Sequence, residues 1–149
     1  MNPKSSLPNE FEYIDLESVV GTELVSYRLE NKDSAPSRAQ RLARTGDVFY
    51  QTVRPYQRNN YLFNLENRNF VFSTGYAQLR PVGSSEFLLA YLQTTRFVNN
   101  VLDNCTGTSY PAINSADLSR IIINFPSLPE QKAIGDFFST LDRSIALHQ

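Results

Sequence analysis

The 149-residue sequence predicts a mixed α+β fold, and three observations predict it. Short segments rich in β-branched and aromatic residues fill the first eighty positions. Helical stripes of apolar residues follow, and a capped amphipathic run closes the sequence from Pro126 to Gln149. Strands first, with helices inserted late, describe a mixed sheet with peripheral helices.

Taken in order, Phe11–Ile14 reads as a short strand, Asp15–Val20 as a brief helix capped by Asp15 and stopped by Gly21, and Thr22–Leu29 as extended chain. Pro36–Ala43 reads as a helical turn that sets Arg38, Arg41 and Arg44, at spacing three, roughly along one face. That row is either a solvated helix face or a set of phosphate contacts. Thr45-Gly46-Asp47 is a turn, and Val48–Val53 a strand. Tyr61–Leu65 and Phe70–Arg80 read as two more strands joined by Glu66-Asn67-Arg68-Asn69. Gly75 interrupts the second of these, marking a bulge or a close backbone approach, and Gln78 and Arg80 share a face. Ser84 or Ser85 caps a helix with Leu88, Tyr91 and Leu92 buried; Phe97, Val98, Val101 and Leu102 continue the stripe after Thr94-Thr95. Cys105 reads as a small packed residue, with no histidine near in sequence to activate it. Asn114 or Ser115 caps a short helix through Leu118, and the apolar run Arg120–Phe125 reads as a strand buried on both faces.

The last element carries a written start. Ser127 and Glu130 have the spacing of a capping box, and Pro129 falls in the first turn, where a missing N–H costs nothing. Ile134, Phe138, Leu141, Ile145 and His148 then form a seam of period 3.5, which wants a partner helix. Phe137 beside it offers the alternative of packing on the helix's own domain.

Composition narrows the function classes. Hydrophobic residues at 41% and charged residues at 19% suit one soluble domain with a proper core. No apolar run reaches the length of a membrane span, and the polar Met1–Glu10 lacks a signal-peptide layout, so the expected compartment is the cytoplasm. One cysteine and one histidine leave no Cys/His metal site. The net charge of −1 conceals segregation: residues 1–27 sum to −4, while residues 28–58, with seven cationic side chains against three acids, sum to +4. A basic middle of this kind provides a local footprint for a polyanion.

The richest loop is Arg54-Pro55-Tyr56-Gln57-Arg58-Asn59-Asn60. Arginine, glutamine and asparagine make bidentate contacts to base edges, and tyrosine stacks on bases. The alternative is a polar turn that merely ends a strand. A second loop, Thr106–Asn114, is dense in hydroxyls suited to phosphates or base edges, or is an irregular connection. Phosphate-binding and nucleophile-elbow motifs are absent from the sequence. Glu130-Gln131-Lys132 with Asp117 has the acid and E-x-K pattern of a magnesium-dependent nuclease. Such enzymes place E-x-K on a strand, whereas Pro129 and the seam put it at a helix start.

Six further elements occur in order: Gly46-Asp47-Val48-Phe49, Thr52-Val53-Arg54-Pro55-Tyr56, Ser73-Thr74-Gly75-Tyr76, Leu79-Arg80-Pro81, Tyr110–Asn114 and Pro126-x-Leu128-Pro129-Glu130-Gln131-Lys132. Together they make residues 11–149 resemble the target recognition domain of the specificity subunit of type I restriction-modification systems. The resemblance implies a DNA-binding domain over residues 1–125 that reads one half of an interrupted target. It implies that residues 126–149 form a helix that spaces this domain from a second one and docks modification subunits. Methyl transfer and cleavage would belong to partner modification and restriction subunits, leaving no catalytic residue, metal or cofactor here. The sequence departs from the family in holding one recognition domain, followed by a short helix.

The expected DNA contacts are Arg54, Tyr56, Gln57, Arg58 and Asn59, then Ser73, Thr74, Ser109 and Tyr110, with Arg38, Arg41 and Arg44 on phosphates. Ile134, Phe138, Leu141 and Ile145 are expected to pair two copies, and two-fold pairing implies an interrupted palindrome. The alternatives from other classes are the magnesium nuclease, the detached recognition domain of a DNA methyltransferase, and an interaction module with no DNA role.

Overall fold

The computed structural model describes residues 6–66 and 68–147, so His148, the last position of the expected seam, and Asn67 lie outside the described residues. The chain builds three layers. A four-stranded sheet has the order β4-β1-β8-β5, from β1 (Glu10–Ile14), β4 (Arg28–Asn31), β5 (Ala39–Leu42) and β8 (Phe70–Ser73). Within it β1 runs parallel to β8, and the other pairings are antiparallel. An antiparallel sheet of β7 (Tyr61–Leu62), β6 (Val48–Gln51) and β9 (Tyr76–Leu79) forms the middle layer. Helices α1 (Ser85–Leu92), α2 (Thr95–Asp103) and α3 (Ser115–Ser119) cover its far side, and α4 (Leu128–Leu147) closes the described chain. No helix among the described residues is long and apolar enough to cross a membrane.

Strand β6 explains the layering. All four of its residues are buried, because alternate side chains point to opposite faces of the sheet. Val48 and Tyr50 join Leu88, Leu92, Phe97 and Val101 in the helix-side core. Phe49 joins Ile14, Phe70, Phe72 and Tyr76 between the two sheets, its ring stacked 3.6 Å from that of Phe72. On the outer face of the larger sheet Phe11, Tyr13, Ala39 and Val71 pack with Leu7 and Ala35.

Three expected elements are corrected. Asp15–Val20 is not a helix: the Asp15 carboxylate accepts from Glu17 N and Ser18 Oγ, closing a turn, and Val19–Val20 forms β2 in a tight hairpin with β3 (Glu23–Leu24). An aspartate that caps a helix can equally close such a turn, and two valines settle the choice for strand. Pro36–Ala43 is not a helical turn either. Ala39–Leu42 pairs with β8 through a bulge between Ala39 and Arg41, so arginines at spacing three do not share a face. Finally, residues 121–127 have no regular structure. Ile121 and Ile123 pack on the helix-side core, whereas Ile122 is 86% exposed; a core lies on one side only, and no described strand pairs with the segment.

The long Phe70–Arg80 strand is two strands in different sheets. The chain changes sheets at Thr74-Gly75, where a Cβ on Gly75 would lie 2.7 Å from the Leu16 side chain, so the expected close approach is real. Ser84 caps α1, accepting from Phe87 N, and Asn114 caps α3. At α4 the capping box forms, with Ser127 N donating to Glu130 and Glu130 N to Ser127 Oγ. Helix α4 crosses the start of α1 at Gly135, where a Cβ would lie 2.7 Å from Phe87 N and 2.8 Å from Glu86 Cβ. Its Gln131 is buried there, accepting from Ser84 N and donating to Pro126 O. The two readings of α4 thus divide between two faces: Gln131 and Gly135 are buried against the domain, while Ile134, Phe137, Phe138, Leu141 and Ile145 stay 38–63% exposed.

Candidate nucleic-acid interface

Beyond Gln51 the chain leaves β6 for a strained turn. Arg54 and Arg58, at φ 52° and 55°, both sit in the left-handed region on either side of one 3-10 turn, Pro55–Gln57. Each such residue other than glycine costs about 1–2 kcal/mol, so the surroundings must hold the conformation.

Three buried or half-buried amides do so. Asn60, 1% exposed, accepts from Gln51 N at 2.9 Å and donates to Gln93 Oε1 at 2.5 Å. Gln93, at the end of α1, donates to Arg58 O at 3.0 Å. Gln51 Nε2 donates to Val53 O at 2.6 Å and to Gln57 Oε1 at 2.8 Å. Gln51 and Gln93 escape the sequence reading, which takes Asn60 only as part of the 54–60 loop. A glutamine ending the apolar run Val48-Phe49-Tyr50 is the signal that would have found Gln51.

Three loops meet beside this turn. Thr52 donates through both its N–H and its hydroxyl to Gly75 O, each at 2.9 Å, and its carbonyl accepts from Ile113 N at 3.0 Å. Arg54 N donates to Pro111 O at 2.7 Å, and Thr74 N donates to Arg38 O at 2.9 Å. Arg38, Thr74, the 54–58 turn and the 106–113 loop therefore form one continuous rim. The Arg54 guanidinium lies over the Tyr110 ring, 5.1 Å from its centre, and Tyr110 and Tyr56 are 69% and 48% exposed. Ser109 and Gln57 are also exposed here.

The remaining expected contacts are placed differently. Arg58 belongs to the turn, but its guanidinium donates to Gln93 O and Thr95 Oγ1 where α1 meets α2. Asn59 Oδ1 accepts from Gly21 N. Ser73 is buried, its hydroxyl accepting from Gly75 N. Arg41 lines a cavity of about 540 Å3 with Gln78, Arg80, Leu118 and Ile121, whose lining includes none of the rim residues. Arg44 is exposed at the turn before β6.

The ion pairing of the cations separates them. Arg28, Arg68, Arg80, Arg120 and Lys132 each hold a carboxylate. Among the described residues Arg38, Arg54 and Arg58 hold none, nor do Arg41, Arg44, Arg96 and Arg143. The fully buried Asp47 shows the opposite economy: Arg80 donates to both its oxygens at 2.7 and 2.9 Å, and Gln78 Nε2 and Arg44 N donate at 2.7 and 2.9 Å. Burial pushes its pKa up, but the bonds from Arg80, Gln78 and Arg44, with the Arg80 charge, outweigh burial and hold the carboxyl below its usual range. Cys105 is half-buried against the helix-side core, and burial raises its pKa, which disfavours the thiolate.

The nuclease residues serve structure in this fold. Glu130 lies in the first turn of α4 and caps it, Lys132 pairs with Asp136 at 2.7 Å, and Asp117 accepts from Asn114 and Arg120. Among the described residues no three His, Cys, Asp or Glu side chains come together as a metal ligand set.

The rim thus offers unpaired guanidinium groups, amides, hydroxyls and aromatic faces, the chemistry of phosphate and base-edge contacts. The chain is also similar to known proteins. The chain is 27% identical over 143 residues to the type I restriction enzyme HindI specificity subunit of Haemophilus influenzae, covering 91% of this chain and 31% of that protein. It superimposes with a TM-score of 0.80 on the HsdS subunit of Thermoanaerobacter tengcongensis, at 30% identity, covering 98% of this chain and 39% of that one. A chain solved for the assembly and conformational transition of a type I restriction-modification system gives a TM-score of 0.82 at 26% identity, covering 99% of this chain and 40% of that one. The chain therefore spans about a third of the curated relative and two fifths of the solved chains. The family model for the type I restriction modification DNA specificity domain matches residues 16–149, and the chain belongs to that family.

Proposed function

We propose that this chain reads DNA sequence as the specificity subunit, or half of one, of a type I restriction-modification system. It brings partner methyltransferase and restriction subunits to a two-part target in the cytoplasm and catalyses neither methylation nor cleavage. The observation that carries the reading is the rim itself: arginines free of ion pairs, a tyrosine under one of them, and a pre-formed turn of base-reading residue types, all in a member of the DNA specificity domain family.

Within the rim Arg54, Tyr56, Gln57, Ser109 and Tyr110 are the base and backbone contacts, Thr74 supports them, and Arg38 meets phosphate. Arg58 and Asn59 act by holding the turn. Residues 1–125 form the recognition domain and residues 126–149 the spacer. The exposed stripe Ile134, Phe138, Leu141 and Ile145 pairs with the same stripe of a second copy, since an apolar face along a helix of about 30 Å is costly to leave in water. Two-fold pairing sets two identical reading heads on one duplex, so the target is an interrupted palindrome.

Co-expression with the cognate modification subunit, followed by mapping of methylated positions, tests both parts. The expected result is methylation at an interrupted palindrome. A non-palindromic site would remove the symmetric pairing, and no sequence-dependent methylation would remove the reading as a whole.

A further inference from the structure

The hydrogen bonds beneath the rim fix which way round the Gln57 amide faces, and with it the kind of base edge Gln57 can read. The Val53 carbonyl, an acceptor, lies 2.6 Å from the Gln51 side chain, so it is the Gln51 nitrogen that must face it. That nitrogen has two hydrogens. The second points at the Gln57 side chain 2.8 Å away, with the Arg54 carbonyl a longer contact at 3.5 Å, and the Gln57 atom that receives it must be the oxygen. Gln51 cannot turn over without setting its own oxygen against the Val53 carbonyl. Its backbone N–H is held by Asn60, which Gln93 holds in turn. The Gln57 oxygen is thus committed inward, and its NH2 group, with no acceptor among the described residues, faces out from an exposed side chain.

A free glutamine pairs with adenine by donating to N7 while accepting from the N6 amino group. In Gln57 the oxygen is held on the inner side by the Gln51 donor, which leaves the two N–H bonds as the groups it presents outward. The base edge that offers two acceptors side by side in the major groove is guanine, at O6 and N7, whereas adenine and thymine offer one acceptor each. We propose that Gln57 is a specificity-determining residue that selects guanine at one position of each half-target, and that Gln51 is the positioning residue that denies it adenine. This rests on the DNA-reading function proposed above and adds the identity of one base.

The test is selection of bound duplexes from a randomised DNA pool by the full chain in complex with its modification subunit. Wild type, Gln57→Glu and Gln57→Ala are compared. Glutamate keeps an oxygen for Gln51 and turns the outward atom from donor to acceptor. The expected outcome is that one guanine of the wild-type target becomes cytosine or adenine, bases with an outward amino group, with a preference of about tenfold or more. Alanine leaves that position unselected and the other positions intact. An unchanged target in the alanine variant overturns the proposal, and so does a wild-type target in which the position Gln57→Glu alters is not guanine. If glutamate abolishes binding by charge repulsion, the alanine result decides between these outcomes by the same criterion. Selection of no sequence by the wild-type complex overturns the DNA-reading function and this proposal together, whereas selection with Gln57 indifferent overturns this proposal alone.

Discussion

The turn at residues 54–60 and the outer face of α4 are built in opposite ways. The turn holds two arginines at positive φ and clamps them with buried amides, so its shape is determined before any partner arrives. The face of α4 is regular helix that needs no clamp, and only its apolar side chains are out of place. A strained polar turn holds its donors in fixed directions, which suits discrimination between base edges. An apolar stripe buries area without reading anything, which suits assembly. On the function proposed above, specificity and assembly should be separable by mutation.

The sharpest way to break this contrast is at the clamp. Asn60→Ala orphans Gln51 N and Gln93 Oε1 in the interior and should cost about 3 kcal/mol in urea unfolding. Sequence-selective binding should weaken more than non-selective binding in the same variant. A loss under 1 kcal/mol would mean that the turn holds itself. Next in size, Gly135→Val drives a side chain into the backbone of α1 and should cost about 2 kcal/mol by the same measurement. A neutral result would mean that α4 does not rest on the domain at this crossing.

Acid probes a third kind of construction, the buried Asp47 at the turn before β6. Its folded pKa is depressed, so the unfolded chain takes up the proton first as pH falls. The stabilisation is complete above the unfolded value of about 4 and is lost as pH drops through the lower folded value. Urea midpoints should decline below about pH 4, and Asp47→Asn should remove this residue's share of the decline while lowering stability at neutral pH. The smallest effect on stability belongs to the stripe. Leu141→Glu should change unfolding by about 0.5 kcal/mol or less, yet leave a monomer in light scattering at concentrations where the parent chain pairs. A parent chain that is itself monomeric at tens of micromolar would contradict the pairing.

What could be read from the sequence followed how local the deciding interactions are. The box Ser127–Glu130, the Ser84 cap and the turn at Thr45-Gly46-Asp47 involve neighbours, and each forms where the residues place it. Asp15 and the arginine row misled because their local chemistry suits two conformations, and the choice is made by strand pairing, with β3 just across a tight turn in the first case and with β8, distant in sequence, in the second. The apolar run Ile121-Ile122-Ile123 misled because hydrophobicity says nothing of whether a sheet edge is free to receive it. At the site, composition singled out the 54–60 loop, but composition does not tell a side chain that faces out, such as Gln57, from one spent inside, such as Arg58. The division depends on Gln93, thirty-five residues beyond Arg58, and so was invisible along the chain.

The most direct test of the central claim, that the rim reads sequence while the helix assembles, is the map of methylated sites produced when Arg54→Ala replaces the parent chain beside its modification subunit. On the proposed function one position in each half of the target is relaxed, at a cost of about 1–3 kcal/mol of discrimination, with the spacing between halves unchanged. A map identical to the parent's would contradict it.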